Sequence, residues 1–460
     1  MAPIKIDHLT FQYDQQPPTL TDLTLTIPTG QLSLLVGPSG CGKSTLLKLM
    51  AGLYPTFGGQ LLHGHVDVAT DQQIGFMFQD PDQQFTLDTV RHELIFSLEN
   101  LQVAPDEIDR RVQQALRFCH IEPLADRQFS TLSGGEKQKC ALAIMIAMDS
   151  HIFLLDEPFA SVDPQSRKQL LDQLAVLRDQ YHKTIIITDH DLSGYDTLVD
   201  QIYQFNPQRQ VRQLATEQRH TLLASYQQQA HVPVALPGAT DHEVIHLQSL
   251  TLARGTRSLL TAADFPLYAH KLTLITGHNG IGKSTLFTAL VRMFAYQGTI
   301  TLDGTDIQAI RKKKYWQQIA LVFQESAHQF IDITVAEELA LSKQHRLTDY
   351  FSDQKIDQAL TLLGLDGMDE RVVYSLSEGQ QKKLQILTML IISPAILLLD
   401  EPLKGLDRQS INQVFQLLHE SCQAQHQTAI IISHQLTDLA TWVDYHVVFD
   451  QHHLQYAEVL

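Results

Sequence analysis

The stretch GPSGCGKST at residues 37–45 recurs as GHNGIGKST at residues 277–285, 240 positions later. Three further pairs follow: MFQDPDQQF (77–85) with VFQESAHQF (322–330), IFLLDEP (152–158) with ILLLDEP (396–402), and His190 with His434. Their offsets of 245, 244 and 244 are so nearly equal that one unit must have been written twice. The chain is therefore restricted to two copies of a single fold, over residues 1–216 and 244–460. The segment 217–243, rich in Gln and carrying Pro233, Pro237 and Gly238, matches neither copy. It reads as a linker whose start could carry a short helix.

Within each copy, short apolar runs alternate with helical stretches. LSLLV (32–36) and LTLIT (272–276) each feed a Gly-rich turn, then STLLKLMAGL or STLFTALVRMF. FLLD and TIIIT in the first copy, and ILLLD and AIIIS in the second, are further runs of buried-strand type. The pattern predicts an α/β fold with a parallel sheet in each copy. A formal net charge of −17 argues against nucleic acid as the main partner. The longest like-charge run, Arg311 to Lys314, reads as a solvated helix face. Cys41, Cys119, Cys140 and Cys422 form no C-x-x-C pair and read as free thiols in a reducing compartment. No apolar signal-type region and no window of ~18 apolar residues is present, so a cytoplasmic chain is expected, with any membrane role supplied by partners.

The G-x-x-x-x-G-K-S spacing carries chemistry. Gly37, Gly40 and Gly42, and Gly277, Gly280 and Gly282, let successive backbone N–H groups curl around a phosphate chain, with the following helix aimed at the same anion. Ser39, Asn279, Thr45 and Thr285 complete the two loops. Lys43 and Lys283 would reach the β- and γ-phosphates, and Ser44 and Ser284 would ligate Mg²⁺. Asp156 and Asp400, at strand ends, suit the same cation. Glu157 and Glu401 are placed to orient or deprotonate an attacking water. Gln79, Gln324, His190 and His434 gain weight only by recurring: Gln can coordinate Mg²⁺ or water, and His can hydrogen-bond a γ-phosphate.

In this order, the motifs resemble those of the ATP-binding cassette (ABC) family, over nearly the whole chain apart from the linker. The resemblance implies two tandem P-loop NTPase domains of ABC nucleotide-binding type, using ATP and Mg²⁺ and pairing head to tail within the chain. It further implies that Lys43, Ser44, Gln79, Asp156, Glu157 and His190 are closed by Ser377, Glu378 and Gly379, and the second set by Ser133, Gly134 and Gly135. Tyr13 takes the place of the family's adenine-stacking aromatic residue, where the second copy has Arg254. The D-loop SVD (161–163) becomes GLD (405–407), without the hydroxyl of Ser161.

FQDPDQQF (78–85) followed by TVRHELIFSLEN (89–100) is similar to the ATPases of energy-coupling factor (ECF) importers. The fused arrangement resembles the thiamine-precursor (hydroxymethylpyrimidine) type. That implies an integral-membrane coupling (T) protein and a substrate-capturing (S) protein as partners, no nucleic acid, and a place on the cytoplasmic face of the membrane. Asp80 and Asp82 could pair with basic residues of the coupling protein. The alternative is a soluble tandem ABC ATPase acting on ribosomes or DNA, against which stand the short, not strongly charged linker and the acidic chain.

LSGGEKQK (132–139) recurs as LSEGQQKK (376–383), with Glu378 in the place of Gly134. Ser133 with Glu136, and Ser377 with Gln380, have capping-box spacing, so both stretches read as helix starts open to an anion. A carboxylate ~7 Å from a phosphate charge repels it by roughly 2 kcal/mol at an effective dielectric near 20. Glu378 is therefore expected to detune the site it closes without switching it off.

Overall fold

The five-residue apolar runs form the central strands. In the computed structural model, Leu32–Val36, Ile152–Asp156 and Thr184–Thr188 are buried along their whole length. That is the requirement of parallel strands covered on both faces. The structure describes residues 3–14, 17–69, 71–159, 162–206, 208–227, 232–255, 257–434, 439 and 441–460.

The chain divides into two compact units, Met1–Gln228 and Gln229–Leu460. In the first, a six-stranded sheet runs Ile74–Met77, Ile152–Asp156, Thr184–Thr188, Leu32–Val36, Gln201–Phe205 and Val211–Gln213, antiparallel only at the last pair. A separate antiparallel sheet is built on Ile4–Gln12, flanked by Leu20–Ile27 and Gln60–Asp67. The second unit repeats this plan. Its six strands run Ile319–Val322, Ile396–Asp400, Thr428–Ile432, Leu272–Thr276, Tyr445–Asp450 and His453–Ala457. Its antiparallel sheet has four strands, centred on Glu243–Arg254 and Gln297–Leu302. Strand ends carrying Asp156 and Asp400 thus lie one strand away from those that feed the Gly-rich loops.

The segment between the copies is largely absorbed into the units. Helix Thr216–Gln227 sets Leu222, Leu223 and Tyr226 on the first core, and Arg219 donates to the Asp200 carbonyl. Val234 belongs to the second core, and its N–H donates to Glu458 O at 2.8 Å. The Arg311–Lys314 run is exposed, at the start of a short helix. The four cysteines are free thiols, three of them buried. Among the described residues no helix is long and apolar enough to cross a membrane.

Candidate functional site

Each Gly-rich loop turns into a helix at a glycine no other residue could easily replace. Gly42 (φ 106) and Gly282 (φ 122) cap Lys43–Met50 and Lys283–Leu290, and a Cβ would meet Leu20 at 2.8 Å or Leu259 at 2.9 Å. Lys43 Nζ folds back to donate to Gly37 O (2.9 Å) and Pro38 O (3.1 Å), and Lys283 does the same to Gly277 O and His278 O. An ammonium parked on the carbonyls of its own loop is positioned for an anion held inside that loop.

The strand-end carboxylates complete the first site. Ser44 Oγ donates to Asp156 Oδ1 at 2.9 Å, and Thr188 Oγ1 donates to the same oxygen at 2.8 Å. In the second unit Ser284 likewise bonds Asp400, while Asp400 Oδ1 is buried with no hydrogen-bond partner among the described residues. A hydroxyl beside an under-satisfied buried carboxylate is the donor set of a hard divalent cation, so these residues fit Mg²⁺. Burial, reinforced by Glu157, raises the Asp156 carboxyl above its usual range.

Glu157 and Glu401 both sit at φ 46, in the left-handed region, where a non-glycine residue is strained. The strain is held by backbone bonds: Glu157 N donates to Thr188 O and Oγ1, and Glu401 N donates to Ile432 O at 2.9 Å. Glu157 is bracketed by Gln79 Nε2, which donates to Oε2 at 3.1 Å, and by His190 Nε2, 2.9 Å from Oε1. The second unit is arranged differently. His434 Nε2 lies 3.4 Å from Glu401 Oε1 and 3.1 Å from Lys283 Nζ, and the exposed Gln324 side chain makes no hydrogen bond among the described residues. Burial, and then Asp400, push the Glu401 carboxyl up to about 8.

Both signature-type stretches are helix starts with complete reciprocal capping boxes, on Gly134–Ala147 and Glu378–Ile392. Glu378 is not a bare charge: Lys404 Nζ stands 3.4 Å from its Oε1. Tyr13 is half-buried, with Oη bonded to Thr45 Oγ1 at 2.8 Å and its ring edge-on to Tyr54. Arg254 is exposed and paired in register with Arg257, whose Nη1 would lie 3.9 Å from a Cβ on Gly280. Ser161 lies outside the described residues.

Four groups of residues escaped the sequence reading, and most occupy columns where the copies disagree in charge. Arg167, Asp189 and Tyr195 form a buried network in the first unit, where the second has Ile411, Ser433 and Leu439. Lys382 replaces Gln138, Lys404 replaces Ala160, and Thr188 replaces Ile432. The charge differences between the two copies mark three of the four; Thr188 against Ile432 carries none.

The ABC transporter family profile matches residues 20–160 and 260–404. A Bacillus subtilis protein, YkoD, provisionally named an HMP/thiamine import ATP-binding protein, is 28% identical over 96% of this chain and 88% of its own length. A Treponema denticola protein provisionally named an ABC transporter ATP-binding protein is 30% identical, over 95% and 93%. Among solved structures, ribosome-bound archaeal Pelota and ABCE1 gives a TM-score of 0.74 at 20% identity, covering 98% of this chain and 78% of the other. The archaeal ribosome recycling factor aABCE1, solved with stalk protein aP1, gives 0.67 at 18%, covering 96% and 87%. At such identities these structures speak to the fold alone. With the profile matched in both halves, the chain belongs to the ABC transporter family, as two tandem ABC ATPase domains.

Proposed function

We propose that this chain is the ATP-hydrolysing, energy-coupling subunit of an ECF-type membrane importer for a vitamin, a thiamine precursor or a metal ion. The observation that carries hydrolysis is the recurrence, in both units, of a loop lysine, a Ser–Asp pair and a strained Glu with a His beside it. Likeness to a protein named for HMP/thiamine import, over 96% of the chain, favours import and that solute class. Neither unit is reduced to a relic, since every catalytic residue type is present twice.

In this reading Lys43 and Lys283 hold the phosphates, and Glu157 and Glu401 orient the attacking water. His190 and His434 hydrogen-bond the γ-phosphate, and Gln79 and Gln324 complete the cation and water contacts. Mg²⁺, held by Ser44 with Asp156 and by Ser284 with Asp400, would screen the phosphate charge. The copies pair head to tail, so that Ser133, Gly134 and Gly135 close the second site and Ser377, Glu378 and Gly379 the first. The segments after Gln79 and Gln324, with Asp80 and Asp82, meet the coupling protein at the cytoplasmic face of the membrane. The sites differ in Tyr13 versus Arg254 and in Gly134 versus Glu378, so they turn over unequally.

Purification in mild detergent should bring down an integral-membrane coupling protein and a small substrate-capturing protein. The reconstituted complex should take up radiolabelled hydroxymethylpyrimidine only with ATP. Recovery of ribosomes instead, with no membrane protein, would sink the importer reading. Equal residual ATPase and transport in Glu157→Gln and Glu401→Gln would refute inequality of the sites.

A further inference from the structure

The second unit contains a buried ammonium that the hydrolytic chemistry does not use. Lys382, on helix Glu378–Ile392, is 1% exposed, and no carboxylate lies within 4 Å of it among the described residues. Its Nζ donates to Phe323 O (3.2 Å) and Gln324 O (2.7 Å). One turn on, buried Gln385 donates from Nε2 to Phe323 O (3.0 Å) and Gln329 Oε1 (2.7 Å), while its Oε1 accepts from Ser326 Oγ at 3.1 Å. The Gln324 segment is thus fastened to the signature-type helix by five hydrogen bonds, whose helix-side partners Lys382 and Gln385 are both buried.

The first unit keeps Gln84 in the place of Gln329 but lacks the other three side chains: Gln138, Ala141 and Pro81 stand where Lys382, Gln385 and Ser326 would be. Gln138 is also 1% exposed, but its Oε1 has no hydrogen-bond partner among the described residues, and it lines a small apolar cavity with Met77, Leu155 and Phe159. The equivalent tie is made at the surface, by Lys137 Nζ to Asp82 Oδ2 at 2.6 Å, with the Asp82 side chain 55% exposed. The second unit has Gln381 and Ala327 in those places.

We infer that Lys382 and Gln385 form a buried clamp through which the second unit's Gln324 segment and signature-type helix move as one body, Lys382 acting as a positioning residue for Gln324. The first unit joins the same two elements by an exposed ion pair that salt opens. Burying an ammonium costs several kcal/mol unless fixed dipoles replace its water. Carbonyls converging from the Gln324 segment do so only while that segment stays in place, so moving it strands the charge. Salt screens an exposed pair within about 8–10 Å of ionic atmosphere and hardly reaches a dry one. A push on the first unit's loop can be absorbed locally, whereas in the second it must travel into the helix. The catalytic meaning of the clamp rests on the ATPase reading above; its mechanical existence does not.

Hydrogen exchange on the full-length protein without nucleotide tests the mechanics. Amides of 323–331 should exchange more slowly than those of 78–86, and raising KCl to about 0.5 M should speed only the latter. Lys382→Gln and Gln385→Ala, each installing the first copy's residue, should speed 323–331 by about tenfold. Should either variant fail to fold, Asp82→Asn still decides: it must abolish the salt response of 78–86 and leave 323–331 salt-indifferent. Unchanged exchange at 323–331 in a natively folded variant, or a salt response in both segments, overturns the clamp.

Steady-state ATPase tests the positioning role. In a Glu157→Gln background, Lys382→Gln should lower kcat about tenfold with KM nearly unchanged, and Lys382→Arg should recover part of the loss. In a Glu401→Gln background it should change turnover less than twofold. Altered exchange with equal kcat losses in both backgrounds rejects Lys382 as a positioning residue for Gln324 while leaving the clamp and the ATPase assignment standing.

Discussion

Replacing Arg167 by Ile should cost the first unit about 3–5 kcal/mol, because it strands a buried carboxylate. Arg167 and Asp189 have side chains only 10% and 8% exposed and meet at 3.1 Å. Arg167 also donates to Asp191 O (2.6 Å) and Ser193 O (3.2 Å), and its guanidinium lies 4.8 Å from the Phe159 ring centre. Asp189 accepts from Tyr195 Oη and from the N–H groups of His190 and Asp191, so the network sets the backbone on both sides of His190. For a domain of this size each kcal/mol moves Tm by about 2–4 °C, giving a fall of roughly 6–20 °C. The second unit solves the same packing problem without charge, through Ile411, Ser433, Leu403 and Leu439, all buried. Arg167→Ile/Asp189→Ser should therefore recover at least half of the loss, because removing both charges leaves neither stranded. Both tryptophans, Trp316 and Trp442, belong to the second unit. Thermal melts by far-UV circular dichroism should show the shift, while tryptophan fluorescence keeps its midpoint. A double variant as unstable as the single one would refute the reasoning.

Three further outcomes are expected. At ~7 Å and an effective dielectric near 20, Lys404 offsets most of the roughly 2 kcal/mol repulsion calculated for Glu378. Under the head-to-tail pairing, Lys404→Ala should weaken ATP binding at the Lys43 site about tenfold, Glu378→Gly should tighten it about tenfold, and the double variant should bind as wild type; nucleotide titration checks this, and effects of the same sign from the two single changes would contradict it. Gly379→Ala places a Cβ 2.8 Å from Gly405 O, whereas Gly135→Ala finds nothing nearer than 3.7 Å. The former should destabilise by about 1–3 kcal/mol in urea melts and the latter by under 1 kcal/mol. Ser133→Ala removes a capping box and should cost about 0.5–2 kcal/mol of first-unit stability by the same assay, with Ser133→Asp restoring most of it.

The duplication, the parallel sheets and the loop-to-helix sites could be read from the sequence because they depend on local pattern. An apolar run ending in Asp-Glu, or Gly-Lys-Ser after a strand, has one mechanical use. The capping boxes were readable for the same reason, since Ser and Glu or Gln three residues apart close on themselves. What escaped depends on residues far apart in the chain. Nothing near Glu378 announces Lys404, 26 positions on, and Lys382, beside Lys383 in a polar-looking run, gives no sign that it is dry. The start of segment 217–243 reads as linker because it matches neither copy, yet helix Thr216–Gln227 sets Leu223, 3% exposed, on the first core. The left-handed geometry of Glu157 and Glu401 is set by strands that meet only after folding.

The contrast between Arg167–Asp189 and Ile411–Leu439 makes the two copies different thermometers. Hydrocarbon contact loosens on cooling, whereas the dehydration cost of an ion pair falls on warming. Warming should therefore favour the first unit's grip beside His190 over the second unit's beside His434, because the ion pair keeps gaining after hydrocarbon contact has levelled off. A duplicated engine with identical parts would slow evenly as its surroundings cooled. This one should change which half leads.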